Sequence, residues 1–96
     1  MKKIMYRAVF NRKKQLRTDG KGLIQIEAYL ERRRMYVSTH IYIYPSQWDD
    51  AKREICHHPH AEELNWMIAE RMTELEGKEI ALWKSGHNIS LRGLRE

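Results

Sequence analysis

The sequence predicts an α+β domain, a three-stranded antiparallel β-sheet packed against one long C-terminal α-helix. Three observations predict it. Side chains alternate with a period of two in residues 4–10 and 23–44, the second segment folds on itself in a register that sorts its residues into an apolar and a polar face, and the period becomes helical after Pro59. A chain of 96 residues makes one domain with one modest core, since a chain this short buries only about two thirds of the surface its unfolded form exposes.

In the first strand, Ile4, Tyr6, Ala8 and Phe10 share the core parity, and Met5, Arg7 and Val9 form a mixed opposite side, either edge-protected or part of a contact surface. Residues 11–22, NRKKQLRTDGKG, are a loop by composition, with turn chemistry at Thr18-Asp19-Gly20. This loop carries Arg12, Lys13, Lys14, Arg17 and Lys21 against the single acid Asp19.

The stretch from residue 23 to 49 organises the chain. With a turn at Glu31 and Arg32, Leu30 pairs with Arg33, Ala28 with Met35, Ile26 with Val37 and Ile24 with Thr39, giving an apolar face. The other parity pairs Tyr29 with Arg34, Glu27 with Tyr36, Gln25 with Ser38 and Leu23 with His40, giving a polar and cationic face. A slip of one residue would exchange the two faces, so the register is strongly specified. A two-residue turn needs positive φ at its centre, which is costly at Arg32, and a wider loop through Arg33 is the alternative. Alternation continues through Ile41 and Ile43 against Tyr42 and Tyr44 until Pro45 ends the ladder. Ser46 then starts a turn of helix, and Trp48 folds back over one end of the core, where its indole N–H requires a partner. Residues 50–55 read as a polar connector.

Pro59 at a first helical position, with Glu62 and Glu63 in the first turn, marks the helix start. At 100° per residue, Leu64, Met67, Ile68, Leu75 and Leu82 form a stripe widened by Ala61, Met72 and Trp83. Trp66, Ala69 and Ile80 fall on the far side among glutamates. Gly77 weakens the helix by roughly 1 kcal/mol relative to Ala without ending it. Residues 85–88, SGHN, end it.

Charge is segregated along the chain. Residues 1–34 hold 11 Lys and Arg against 3 Asp and Glu, a net +8, and residues 35–96 hold 7 against 10, a net −3. A cationic sheet end is an electrostatic footprint for a polyanion. The loop cations and the turn Arg32-Arg33-Arg34 flank the polar face together, which favours phosphate contacts over a merely solvated loop. No apolar run is long enough to span a bilayer, and Arg7 interrupts any signal-peptide core after the basic start. The lone Cys56 fits a reducing compartment, and a cytoplasmic location is expected.

Cys56-His57-His58-Pro59-His60 is the one cluster of metal-type ligands. Zinc sites draw on separated pairs to close a tetrahedron, and four donors crowded into five residues around a proline suit a polar connector better, with His58 available to cap the helix. No nucleophile elbow, phosphate-binding loop or zinc-protease helix occurs. No catalytic residue, cofactor, metal or small-molecule substrate is therefore expected, and the chain does not read as an enzyme.

The segments STHIYIYPSQWD, with Ser38-Thr39-His40-Ile41 and Pro45-Ser46-Gln47-Trp48-Asp49 set between a hairpin and a long helix, resemble the N-terminal arm-binding domain of tyrosine recombinases, the integrases of Bacteroides-type mobile elements. His40 stands where that family usually has glycine, and Glu31-Arg32 where it usually has Asn-Gly. The resemblance implies sequence-specific binding of arm-type sites on double-stranded DNA with the sheet in the major groove, in support of DNA integration and recombination. It implies a domain over residues 1–84, with 85–96 a linker toward the core-binding domain of a longer recombinase, other recombinase subunits as partners, and a catalytic tyrosine on a separate domain. Carried onto this chain, Arg7, Gln25, Tyr29, Arg34, Tyr36, Ser38 and His40 face the bases. Arg12, Lys13, Lys14, Arg17, Lys21, Arg32 and Arg33 face phosphates. Arg34 suits guanine and Gln25 adenine, since each pairs bidentately with that base. Glu27 accepts from a cytosine amino group or neutralises Arg34 diagonally. The alternatives are a protein-interaction module using Trp66 and Ile80, a double-stranded RNA binder, and a small basic nuclease using His57, His58 or His60 with a lysine.

Overall fold

A computed structural model describes residues 3–95. Strands β1 (Met5–Phe10), β2 (Gly22–Leu30) and β3 (Arg33–Ile43) form an antiparallel meander in the order β1-β2-β3. A 3₁₀ turn, Pro45–Gln47, leads into a two-stranded ribbon of β4 (Trp48–Asp49) and β5 (Glu54–Ile55). The helix α1 (Ala61–Lys84) and the short α2 (Leu91–Arg95) complete the domain.

The β2–β3 register matches expectation from Leu30↔Arg33 to Gln25↔Ser38 and then shifts. Ile24 pairs with Ile41 and Leu23 with Tyr42, instead of with Thr39 and His40, because Thr39 and His40 bulge out of β3. Side chains hold the bulge. Thr39 Oγ1 donates to the Ile24 carbonyl at 2.7 Å and accepts from Ile41 N at 3.2 Å, while His40 N donates to Ser38 Oγ at 3.0 Å. His40 takes φ +61°, a left-handed conformation in which glycine carries no strain. The turn uses two residues, with Glu31 at φ +50° and Arg32 at φ +67°, and is not the wider loop. Both residues adopt the conformation for which Asn-Gly is the low-strain sequence.

The apolar parity faces α1. Ala8, Ile24, Ile41, Ile43, Ile55 and Ile68 form one buried cluster, flanked by Phe10, Trp48, Ala61, Leu64 and Met72. Ile4, Ala28, Leu30, Met35 and Leu94 form a second, so α2 closes the far end of the same face. Gly22 admits the Phe10 ring, which would lie 2.9 Å from any Cβ at that position.

Residues 50–55 are more than a polar connector, because Ile55 is core and its backbone is engaged. Asn65 on α1 accepts from Ile55 N at 2.8 Å and donates to Ile55 O at 3.0 Å, as a neighbouring strand would. The Trp48 indole N–H finds Asp50 Oδ1 at 3.3 Å.

On α1 the covered stripe runs through Leu64, Ile68, Met72, Leu75, Glu79 and Leu82, steps of three and four residues. Met67 and Trp83, expected in the stripe, are exposed because they lie a quarter-turn off this row. Glu79 was outside the expected stripe yet is buried. Its carboxylate accepts from Ile4 N at 2.9 Å and from Tyr6 Oη at 3.0 Å, pinning the start of β1 to the helix. Pro59 precedes the helix instead of occupying its first turn, since Ala61 N bonds back to His58 O and His60 is the N-cap. The helix ends as expected at Ser85 and Gly86. Gly86, at φ +80°, lets His87 N reach Leu82 O and Gly86 N reach Trp83 O, a Schellman closure.

His40→Gly should raise stability by about 0.5–1 kcal/mol, since glycine removes the left-handed strain at the bulge. Urea unfolding followed by circular dichroism reads the change, and an unchanged or lower midpoint would count against strain at this position.

Candidate nucleic-acid interface

With the helices on the apolar side, no helix covers the opposite sheet face. Three cross-strand rows build it: Met5–Tyr29–Arg34, Arg7–Glu27–Tyr36 and Val9–Gln25–Ser38. Arg7, Gln25, Tyr29, Arg34, Tyr36 and Ser38 thus share one face, as the parity predicts. His40 does not join their rows. The bulge sets it at a groove of about 500 Å³ between β3 and α1, also lined by Ser38, Trp66, Met67, Glu70 and Glu74.

Glu27 stands at the centre of the face and is only 5 % exposed. Arg7 Nε donates to Oε1 at 2.7 Å and Arg7 Nη2 to Oε2 at 3.5 Å. Tyr36 Oη donates to Oε2 at 3.0 Å, and Arg34 Nε lies 3.6 Å from the same oxygen. The diagonal neutralisation of Arg34 is therefore present. Arg34 also stacks on Tyr29, 5.0 Å from the ring centroid. A shallow cup of about 340 Å³ opens among Met5, Arg7, Glu27, Tyr29 and Arg34.

The basic loop between β1 and β2 is organised by its own turns. Asn11 Oδ1 accepts from Gln15 N at 3.0 Å, Asp19 Oδ1 from Lys21 N at 3.0 Å, and Arg17 N bonds to Lys21 O at 2.8 Å. Its cations rest on tyrosine rings. Arg12 lies 3.9 Å above Tyr36, Arg17 4.4 Å from Tyr42 and Lys21 5.2 Å from Tyr44. Cation–π contacts of this kind are worth about 0.5–1 kcal/mol each at exposed sites. Lys13 and Lys14 are exposed on the loop, and Arg32 and Arg33 are exposed at the hairpin tip. Tyr42 and Tyr44, expected only as sheet residues, border the cationic face; their shared parity with Tyr36 is the signal for it in the sequence.

The Cys56–His60 segment is spent on local structure. Cys56 Sγ lies 3.9 Å from Ser46 O, and His58 Nδ1 accepts from His60 N at 2.9 Å, tying the turn before the helix. Among the described residues, no three His, Cys, Asp or Glu side chains converge as a metal site. Among the same residues, no helix is long and apolar enough to cross a membrane.

A family model described as an arm DNA-binding domain matches residues 9–95. The chain belongs to this family. No curated protein and no solved structure matches it. Arm DNA-binding domains occur in tyrosine recombinases and integrases, and a small arm DNA-binding domain is non-catalytic in itself. The cationic, helix-free face of this arm DNA-binding domain is thus the candidate surface for its ligand.

The protonation of Glu27 matters to this face. Burial pushes its carboxyl upward, but the hydrogen bonds from Arg7 and Tyr36 and the charges of Arg7 and Arg34 outweigh burial and hold it below the usual range. A carboxyl depressed in the folded state adds stability above its unfolded pKa and loses it as pH falls through the folded value. Wild type should therefore exceed Glu27→Gln in stability at pH 7, and the gap should close as pH drops below the ordinary Glu range. Denaturant midpoints from pH 7 down to pH 3 test this, and a gap independent of pH would contradict it.

Proposed function

We propose that this arm DNA-binding domain binds arm-type sites of a mobile element by laying its three-stranded sheet in the major groove, as the N-terminal part of a tyrosine recombinase. Beyond α2, which itself closes the core of this domain, the chain leads toward a core-binding domain, and the attached catalytic domains are concentrated at their crossover sites by tethering. The observation that carries the reading is the segregation of the sheet into a helix-covered apolar face and an uncovered face bearing Arg7, Gln25, Arg34 and the tyrosine-backed loop cations. Three strands spaced about 4.8 Å apart fit a groove about 12 Å wide. In this pose Arg7, Gln25, Tyr29, Arg34, Tyr36 and Ser38 meet base edges, with His40 at the β3 edge. Arg12, Lys13, Lys14, Arg17, Lys21, Arg32 and Arg33 grip the two backbones.

A second surface has its own support. Trp66 is 66 % exposed and Ile80 51 % exposed, both on the side of α1 that faces away from the sheet. Apolar side chains that share one exposed side of a helix mark contact surfaces. We assign this helix to contact with other recombinase subunits while the sheet holds DNA. Trp66→Ala should then abolish assembly with recombinase subunits in the full-length protein and leave duplex affinity within about twofold of wild type, a small change on the scale of interface hot spots. Native gel shifts of the single and assembled complexes separate the two effects.

Binding to duplex DNA should weaken with salt at a log–log slope near −5 if about five or six phosphates are neutralised. Joint replacement of Lys13 and Lys14 by Ala should lower affinity for all duplexes alike. Arg34→Ala should cost about 1–3 kcal/mol at one base position. Fluorescence titration across salt concentrations is the measurement, and a flat salt dependence overturns the proposal. Duplex RNA should compete poorly, because its major groove is too deep and narrow to admit side chains.

A further inference from the structure

A carboxylate in the middle of a surface that binds a polyanion calls for a reason. Glu27 repels phosphate, and a glutamate is a poor strand residue. A solvated glutamate would swing outward. Glu27 instead lies beneath its neighbours, hydrogen-bonded by the Arg7 guanidinium and the Tyr36 hydroxyl and ion-paired with Arg34 Nε at 3.6 Å. The other buried acid among the described residues, Glu79, is accounted for by Ile4 N and Tyr6 Oη on the opposite side of the sheet. Nothing comparable in the core explains Glu27, because it lies on the face that no helix covers.

The geometry of the arginines supplies the reason. Arg7 engages Glu27 side-on, through Nε and Nη2, and Arg34 approaches through Nε. The carboxylate takes the inner edge of the Arg7 guanidinium and draws Arg34 by charge from its Nε side, so that the Nη1 donors of both stay out of these contacts. Both side chains are about half exposed, 48 % for Arg7 and 52 % for Arg34. Tyr29 backs Arg34 through its ring. A free arginine on a strand samples many rotamers and loses that freedom on binding; a guanidinium already held at its inner edge loses less. Two guanidiniums drawn to one carboxylate are also close together, so they address neighbouring base pairs.

We propose that Glu27 is a positioning residue that fixes the guanidinium groups of Arg7 and Arg34 side by side, outer ends toward the duplex, as a pair reading guanines at neighbouring positions. The inference rests on the major-groove reading above and adds to it the residue that sets specificity without touching DNA. Guanine is the expected base because its O6 and N7 acceptors match two guanidinium donors.

The test separates positioning from charge. Duplexes are selected from a random pool with the wild-type domain, and affinities for the selected duplex and a scrambled one are then measured for wild type, Glu27→Gln and Glu27→Asp, with circular dichroism to verify folding. Selected duplexes should carry guanines at two neighbouring positions. Glu27→Gln removes a negative charge, so affinity for the scrambled duplex should hold or rise, while the ratio of selected to scrambled binding should fall about tenfold, the worth of a lost bidentate contact. Glu27→Asp keeps the charge but shortens the reach, and the ratio should fall here too. Equal gains for both duplexes in Glu27→Gln, with Glu27→Asp matching wild type in its ratio, would show that Glu27 acts by charge alone and overturn the inference while leaving the groove reading intact. If Glu27→Gln does not fold, Glu27→Asp decides alone. A wild-type domain that binds scrambled and selected duplexes equally, or binds neither, would overturn the groove reading and the inference with it.

Discussion

The whole arrangement depends on parity. A strand exposes alternate residues to opposite sides, so the separation of a greasy underside from a cationic top survives only if every irregularity preserves the alternation. The bulge at Thr39 and His40 inserts two residues, and two is the smallest insertion that does so. On either side of it Ile26, Ile24, Ile41 and Ile43 remain on the core while Gln25, Ser38, Leu23 and Tyr42 remain opposite. Thr39 closes the gap by bonding to both the Ile24 carbonyl and the Ile41 amide, replacing ladder bonds the insertion removes. A single inserted residue would have sent Ile41 and Ile43 into solvent and Tyr42 beneath α1.

Much of this was legible in the sequence because parity is a property of residue order alone. The pairing from Leu30↔Arg33 to Gln25↔Ser38, the core set of β1, the position of the long helix and its glycine-terminated end all follow from periods and turn chemistry. The departures have local causes. The bulge was invisible because an even insertion leaves the alternation unchanged, and the one hint was His40 at a site where the resemblance leads to an expectation of glycine. The two-residue turn at Glu31-Arg32 formed despite its strain, since the flanking pairs fix the register more strongly than two unfavourable φ angles oppose it. Glu79 is silent in the sequence because an acid does not register in a hydrophobic stripe, and Asn65 because a side-chain amide acting as a strand has no periodic signature.

The candidate site was readable in membership but not in its internal wiring. Alternation gathers Arg7, Gln25, Tyr29, Arg34, Tyr36 and Ser38 on one side. It does not reveal that Glu27 collects Arg7, Arg34 and Tyr36, or that Arg12, Arg17 and Lys21 lie on Tyr36, Tyr42 and Tyr44. Those contacts convert a list of cations into an ordered surface, in which a loop that composition alone would leave in water is spread along β3.

The side chains that close the backbone have a bearing on solution behaviour. The outward N–H of Ile4 is taken by Glu79, the carbonyl of Ala8 by Arg53 at 3.1 Å, and both polar groups of Ile55 by Asn65. Each of these groups sits on a strand border that would otherwise be open to pairing. A small sheet with unguarded borders invites a second chain to extend it, the route to fibrils and precipitates. Glu79 and Arg53 blunt that hazard along the β1 border and Asn65 along the two-stranded ribbon, so these borders are closed to growth while one broad side of the sheet stays free of helices.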